Sequence, residues 1–161
     1  MFWVPLAAAS AHIFEEFVWP GGFADWYRRY RPEIAQSVST TFLVWINAAL
    51  LFGCFAVGVD AKTPVGPAFF LAMCALLAGN GVFHIFATMK MRRYSPGVVT
   101  GTLLYIPMGI YAFWAMLTSG RVSIGTAIAA ALIGASYHFV SVANHRRRQS
   151  LALQRLASPR R

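Results

Sequence analysis

The sequence has little charge, very little acid and almost no cysteine. Charged residues make up 12% of the 161 residues, and only five of them are Asp or Glu. A soluble domain carries about 25% charged residues, so this composition excludes an ordinary soluble fold. Only two cysteines are present, Cys54 and Cys74, each inside an apolar stretch and without metal-ligand spacing. This excludes a disulfide framework, and we expect both to be reduced packing residues.

What is present instead is long apolar sequence, because 58% of the residues are hydrophobic. Four stretches reach the roughly 20 residues needed to cross a bilayer, and a shorter N-terminal stretch predicts a fifth span. Residues 1–145 therefore predict one all-α integral membrane domain, a bundle of about five transmembrane helices. Residues 23–31 are aromatic and basic and predict an interfacial segment, and residues 146–161 form a basic tail. The predicted spans are residues 2–18, 38–59, 66–89, 97–119 and 122–144.

The net charge of +9 is distributed unevenly between the two sides of these spans. With five spans, one side holds twelve basic residues and the other holds only Lys62 and Arg121. The positive-inside rule then predicts an external N-terminus and a cytoplasmic C-terminus, in a bacterial inner membrane. We expect the basic tail to bind anionic lipid headgroups rather than nucleic acid. A four-span arrangement with the first segment on the membrane surface fits the same charges. The twelve are Arg28, Arg29, Arg31, Lys90, Arg92, Arg93, Arg146, Arg147, Arg148, Arg155, Arg160 and Arg161.

Strongly polar side chains are rare inside the predicted spans, and their spacing is informative. Three of them, His12, Glu15 and Glu16, fall on one face of the first helix, because residues three and four apart are neighbours on a helix. Asn80 and His84 share a face of the third span for the same reason, and His138 lies on the last. At 1.5 Å per residue, His84 is about 9 Å from Lys90 and His138 about 12 Å from Arg146. All these groups therefore map to the cytoplasmic half of the membrane.

Buried imidazole and carboxylate groups at one depth predict a metal site. A carboxylate in hydrocarbon costs at least a few kcal/mol unless it is neutralised or coordinated. Histidine with carboxylate is the donor set of hydrolytic zinc and of non-haem iron, and we favour zinc over iron. The predicted ligands are His12, His84, His138 and one glutamate. The other glutamate would act as general base on a metal-activated water, and Asn80 would orient a ligand or the substrate. The sequence leaves open whether Glu15 or Glu16 is the ligand.

These residues also carry a family resemblance. The string His12-Ile13-Phe14-Glu15-Glu16, together with the Asn80 and His84 pair, the Pro96-Gly97 helix start and the late His138, resembles the membrane proteins named for an HXXEE motif. The resemblance covers about residues 5–145. It implies a metal-dependent membrane enzyme with its site at His12, Glu15, Glu16, Asn80, His84 and His138, and it implies no particular substrate. The pattern is not the zincin motif, which needs two histidines on one helix.

The leading functional hypothesis is a metal-dependent membrane hydrolase that acts on a lipid or lipophilic substrate. One alternative is a non-haem iron oxidoreductase, and another is a metal-free isomerase or cyclase in which Glu and His act as acid and base. A third is proton- or cation-coupled transport, which would require a homo-oligomer. The structural alternatives are interhelical hydrogen bonds for the histidines and, if the first segment lies at the interface, water contact for both glutamates. Small residues near Gly134 in the last span offer a packing face for a second copy.

Overall fold

Helices account for nearly all of the chain, and no strand occurs in residues 1–157. The computed structural model describes the backbone of these residues and the side chains of residues 1–154. The seven helices are α1 (Val4–Phe17), α2 (Phe23–Tyr30), α3 (Thr40–Val59), α4 (Gly66–Met91), α5 (Val98–Thr100), α6 (Ile106–Thr118) and α7 (Ile124–Ala157). A π-helical turn, Gly101–Tyr105, joins α5 to α6, and 3₁₀ turns occupy Pro32–Ser37 and Asp60–Lys62.

Four of these segments are long and apolar enough to cross a membrane: Thr40–Lys62, Gly66–Met91, Val98–Thr118 and Ile124–Gln154. They follow the four long predicted spans. Large apolar side chains on them face outward, among them Trp45, Phe52 and Phe139, each more than two-thirds exposed. Such a surface suits lipid rather than water. The protein is therefore an all-helical membrane protein.

The first and last helices differ in length from the predictions. Helix α1 coincides with the predicted first span, but its 14 residues measure about 21 Å, so it is not among the four long segments. Helix α7 runs without interruption through the predicted boundary at residue 145 as far as Ala157. Its 34 residues measure about 51 Å, which exceeds the thickness of a bilayer core. The last four residues of the predicted tail, 158–161, lie outside the described residues.

Helix α4 lies at the centre of the bundle and packs against its neighbours through small residues. A Cβ on Gly81 would lie 2.6 Å from the Gly101 carbonyl oxygen, and a Cβ on Gly109 would lie 2.9 Å from Ala78. On α7, a Cβ at Gly134 would collide with the Ala72 carbonyl. Small residues at crossings let membrane helices approach closely. The core between them includes both cysteines, which are free and buried as expected.

Helix α1 lies along this bundle and reaches both ends of it. At its start the Trp3 ring lies 5.6 Å from the ring of Phe55, late in α3, and Phe2 lies 4.7 Å from Phe70, early in α4. At its other end Glu15 contacts the first residues of α5. The connection between α4 and α5, residues 92–97, therefore lies at the same end of the bundle as the glutamates.

Candidate metal centre

One cluster of metal-ligating side chains stands out among the described residues: His12 and Glu16 of α1 with His84 of α4. We refer to these three as the histidine–glutamate cluster. Their ligand atoms lie within 4.8 Å of one another. Oε1 of Glu16 is 3.5 Å from Nε2 of His12 and 3.3 Å from Nε2 of His84. All three side chains are buried, at 2%, 6% and 0% exposure respectively.

The outer nitrogen of each ring is held by a hydroxyl group. Nδ1 of His12 lies 2.8 Å from Oγ1 of Thr100, and Nδ1 of His84 lies 2.8 Å from Oγ of Ser95. The Nε2 atoms are buried and have no hydrogen-bond partner within the described residues. Both rings are thus fixed from outside, with the free nitrogen facing Glu16, as is usual for metal-ligating histidines.

The hydrogen bonds of Thr100 determine the tautomer of His12. The Thr100 hydroxyl donates to Oε2 of Glu15 at 2.5 Å, because a carboxylate can only accept. Its oxygen must then accept the Nδ1 proton of His12. This leaves a lone pair on Nε2 of His12, which faces an oxygen of Glu16 that also accepts. Two buried acceptors that face each other are unfavourable unless a cation or a proton lies between them. The residues therefore fit a bound cation.

The two glutamates of the motif have different surroundings. Glu15 accepts five hydrogen bonds: from the Tyr94 hydroxyl, from the backbone N–H groups of Gly97, Val99 and Thr100, and from the Thr100 hydroxyl. It occupies the N-terminus of the helix that α5 begins, where the helix dipole stabilises an anion. Burial, and then the hydrogen bond to Glu15, raise the pKa of Tyr94 above its ordinary value, so its hydroxyl stays a donor. Glu15 thus ties α1 to α5 and does not face the histidines.

Gly97 forms one side of the cluster. Its φ of +101° is a conformation that residues with a side chain rarely adopt. A Cβ at this position would lie 2.7 Å from Cε1 of His12 and 2.8 Å from Cε1 of His84. Only glycine therefore lets the backbone pass this close to both imidazole rings.

A cavity of about 500 Å³ adjoins the cluster and extends among α1, α2, α3, α4 and α7. His12 and Glu16 line it, together with Asn80, Tyr105 and His138. Aromatic and aliphatic side chains make up most of the rest, which include Phe17, Phe23, Phe42, Leu43, Ile46, Leu50, Met73, Leu76, Leu77 and Phe83. Its volume falls within the range of small-molecule sites.

His138 lies in this cavity but not in the cluster. Its Nε2 donates to the carbonyl oxygen of Leu76 at 3.2 Å, and a Cβ at Gly79 would collide with its ring. This hydrogen bond to the backbone holds His138 against α4. The sequence analysis predicted His138 beside His12 and His84, but the structure places it apart from them. Glu15 accepts five hydrogen bonds at α5, so the structure places it outside the cluster. That one of the two glutamates acts as general base stays a prediction.

Comparison with known proteins identifies the family of this chain. Residues 3–112 match the model of a family described as "Protein of unknown function with HXXEE motif". The chain belongs to the HXXEE family. The matched region contains the whole histidine–glutamate cluster with Ser95, Gly97 and Thr100, whereas His138 lies beyond it. The HXXEE motif itself supplies His12 and Glu16 to the cluster and Glu15 to the helix contact.

One curated relative is similar over much of its length. The chain is 22% identical over 110 residues to "Uncharacterized protein YrkK" of Bacillus subtilis (strain 168), covering 68% of this chain and 70% of the relative. No solved structure matches the chain. The relative is described as uncharacterized, so the similarity adds no activity.

Four residues around the HXXEE motif were not among the sequence predictions: Tyr94, Ser95, Thr100 and Tyr105. Ser95 was recognisable only as a helix cap before Pro96. Thr100 and Tyr105 carry no local signal, because a lone hydroxyl in an apolar span is common and often bonds its own backbone. Their roles depend on contacts with α1 that spacing does not reveal.

Proposed function

We propose that this protein is a metal-dependent membrane hydrolase that acts on a lipophilic substrate. One observation carries the proposal. Nε2 of His12 and Nε2 of His84 both face Oε1 of Glu16, and the three buried side chains lie beside a cavity. Hydroxyl groups contact the Nδ1 atoms of both rings. The two Nε2 atoms and Oε1 of Glu16 therefore remain as ligand atoms for a cation.

The donor set favours zinc. Two imidazoles and one carboxylate with an open fourth position are the ligands of several catalytic zinc sites. With ligand bonds near 2.0–2.1 Å, two ligand atoms of a tetrahedral site are about 3.3–3.4 Å apart. The separations of Glu16 Oε1 from the two histidines, 3.3 and 3.5 Å, agree with that value. A zinc ion there would supply Lewis acidity toward a substrate carbonyl and toward water.

The remaining steps fall to side chains of the cavity. Glu15 is occupied by its hydrogen bonds at α5. In this proposal His138 is therefore the base that takes up the proton released by the attacking water. Since its Nε2–H donates to the Leu76 carbonyl, its Nδ1 carries the lone pair that a general base needs. The apolar lining would hold the hydrophobic part of the substrate and exclude water from the site.

A non-haem iron oxidoreductase is the second candidate, because two histidines and one carboxylate are also the ligands of many iron oxygenases. The same three residues would then hold iron. The two candidates differ in the metal that supports activity and in whether oxygen is consumed.

We further propose that α1 crosses the membrane as a fifth span, with the N-terminus outside, in a bacterial inner membrane. Two features support this: α1 extends between both ends of the bundle, through Trp3 at one end and Glu15 at the other, and the basic residues gather at the Glu15 end. The cluster would then face the cytoplasmic leaflet, and the basic end of α7 would contact anionic headgroups.

The proposal is tested by chelation and reconstitution. The purified protein is treated with a strong chelator, reloaded with Zn²⁺ or Fe²⁺, and assayed for hydrolysis of a fluorogenic long-chain acyl ester and for oxygen uptake. We expect hydrolysis to disappear with the metal, to return with Zn²⁺ and to be absent in Glu16→Gln. Hydrolysis that survives both chelation and Glu16→Gln would refute a metal-dependent hydrolase. Oxygen uptake that returns only with Fe²⁺ would favour the second candidate instead.

A further inference from the structure

Tyr105 is the most deeply buried polar residue of the cavity wall that has no assigned task. Its side chain is 0% exposed, it lines the cavity, and its hydroxyl has no hydrogen-bond partner within the described residues. Leaving a buried hydroxyl without a partner is unfavourable, so such a group usually meets a water or a ligand.

The backbone around Tyr105 explains how it reaches the site. It ends the π-helical turn Gly101–Tyr105, just before Pro107, whose missing N–H already interrupts the regular helix. Single π-turns in helices are frequent at functional sites. Helix α4 approaches this turn closely at Gly81 and Gly101. The Tyr105 ring lies 4.5 Å from the ring of His12, beside the histidine–glutamate cluster.

Asn80 offers a second unpaired polar group on the same cavity. Its Oδ1 is buried and has no hydrogen-bond partner among the described residues. It precedes His84 by one helical turn, so its side chain lies on the same face of α4 as that histidine. A tyrosine hydroxyl donor and a carboxamide thus border the cavity next to the proposed ligands.

The charges of the cavity wall limit what these groups can bind. Among the described lining residues, Arg31 is the one Lys or Arg side chain, and it forms an ion pair with Glu33. It follows α2 directly, whereas Tyr105 and Asn80 lie beside the cluster. In the metal-free protein, a phosphate or sulfate group at Tyr105 would therefore have no Lys or Arg side chain beside it to offset its desolvation.

We propose that Tyr105 and Asn80 form a hydrogen-bonding subsite for the uncharged acyl group of a lipophilic ester or amide. The Tyr105 hydroxyl donates a hydrogen bond to the acyl oxygen. Asn80 forms a hydrogen bond with the ester oxygen or amide nitrogen next to the acyl carbon, and the alkyl chain occupies the apolar part of the cavity. The role of this subsite in a reaction rests on the proposed function. Binding to the subsite can be measured without turnover.

The test compares two probes that share an alkyl chain. Decanamide and decylphosphonate are titrated by calorimetry into the chelator-treated, metal-free protein in detergent, so that no metal can bind the phosphonate. The proteins compared are wild type, Tyr105→Phe and Asn80→Ala. The matched control is Tyr111→Phe, because Tyr111 is 57% exposed on the outside of α6. Metal content is measured on the same preparations as purified, before chelation.

We expect wild type and Tyr111→Phe to bind decanamide more tightly than decylphosphonate. Tyr105→Phe should weaken decanamide roughly three- to tenfold, the value of one net hydrogen bond, while its metal content stays at the wild-type level. Equal decanamide affinity in wild type, Tyr105→Phe and Asn80→Ala would overturn the subsite, as would a preference for decylphosphonate. If the wild type holds no metal but the Tyr105-dependent affinity persists, the metal-dependent function fails and the subsite stands.

Discussion

Glu15 and Glu16 are adjacent in the chain, yet Glu15 accepts five hydrogen bonds at the start of α5, whereas Glu16 faces the free nitrogens of His12 and His84. One residue is a rotation of about 100° on a helix, which is enough to direct the two carboxylates to different neighbours. The pair thus divides two tasks, since Glu15 fixes α1 against the bundle and Glu16 completes the ligand cluster.

This division predicts opposite phenotypes for two amide substitutions. Glu16→Gln removes a ligand charge, so the purified protein should lose its metal while it melts at the same temperature as the metal-free wild type. Glu15→Gln weakens charge-assisted hydrogen bonds worth about 1.5–3 kcal/mol, so the melting temperature should fall while the folded fraction still binds metal. Elemental analysis and a thermal melt measure both. The assignment is reversed if Glu15→Gln loses the metal and Glu16→Gln keeps it.

Gly97→Ala should damage the cluster from the backbone side. The added Cβ would collide with both imidazole rings, and a φ of +101° strains any residue other than glycine. We expect a loss of about 1–3 kcal/mol in stability together with a clear loss of metal affinity.

The matched control is Gly120→Ala, because Gly120 also has a positive φ, +66°, but nothing lies within 4 Å of its Cβ position. It should lose stability through backbone strain alone and keep its metal affinity. Equal metal affinity in the two variants would show that Gly97 has no special contact with the histidines.

The hydroxyl groups behind the histidines should tune metal affinity. Thr100→Val removes the partner of Nδ1 of His12, and Ser95→Ala removes the partner of Nδ1 of His84. Loss of such an outer hydrogen bond typically weakens metal binding 10- to 100-fold. Competition with a chromogenic chelator measures the affinity. Ser136→Ala is the control, since Ser136 bonds only its own helix at Ile133. Wild-type affinity in both Thr100→Val and Ser95→Ala would remove these residues from the site.

The proposed orientation can be tested by labelling single cysteines in intact cells. Cys54 and Cys74 are both fully buried, so the wild-type chain should give no background with a membrane-impermeant maleimide. Lys62→Cys and Arg121→Cys should be labelled from outside, whereas Arg92→Cys should be labelled only after the cells are opened. Labelling of Arg92→Cys in intact cells would reverse the orientation.

Sequence alone predicted the all-helical membrane class and its four long spans, because uninterrupted apolar stretches leave few other structures in a bilayer. Helical spacing also grouped His12 with Glu16. It could not separate Glu15 from Glu16, since both fall within one face and their long-range partners lie about 70 to 85 residues later in the chain. Depth along the membrane placed His138 level with His84, but depth carries no information on rotation about α7.

The central claim, that His12, Glu16 and His84 hold a metal ion, is tested most directly by elemental analysis of purified protein. We predict about one metal ion per chain in the wild type and in His138→Ala, which alters a cavity histidine outside the cluster. His84→Ala should lose that metal while it remains folded by circular dichroism. A wild-type protein with little metal, or equal metal in His84→Ala and wild type, would contradict the account.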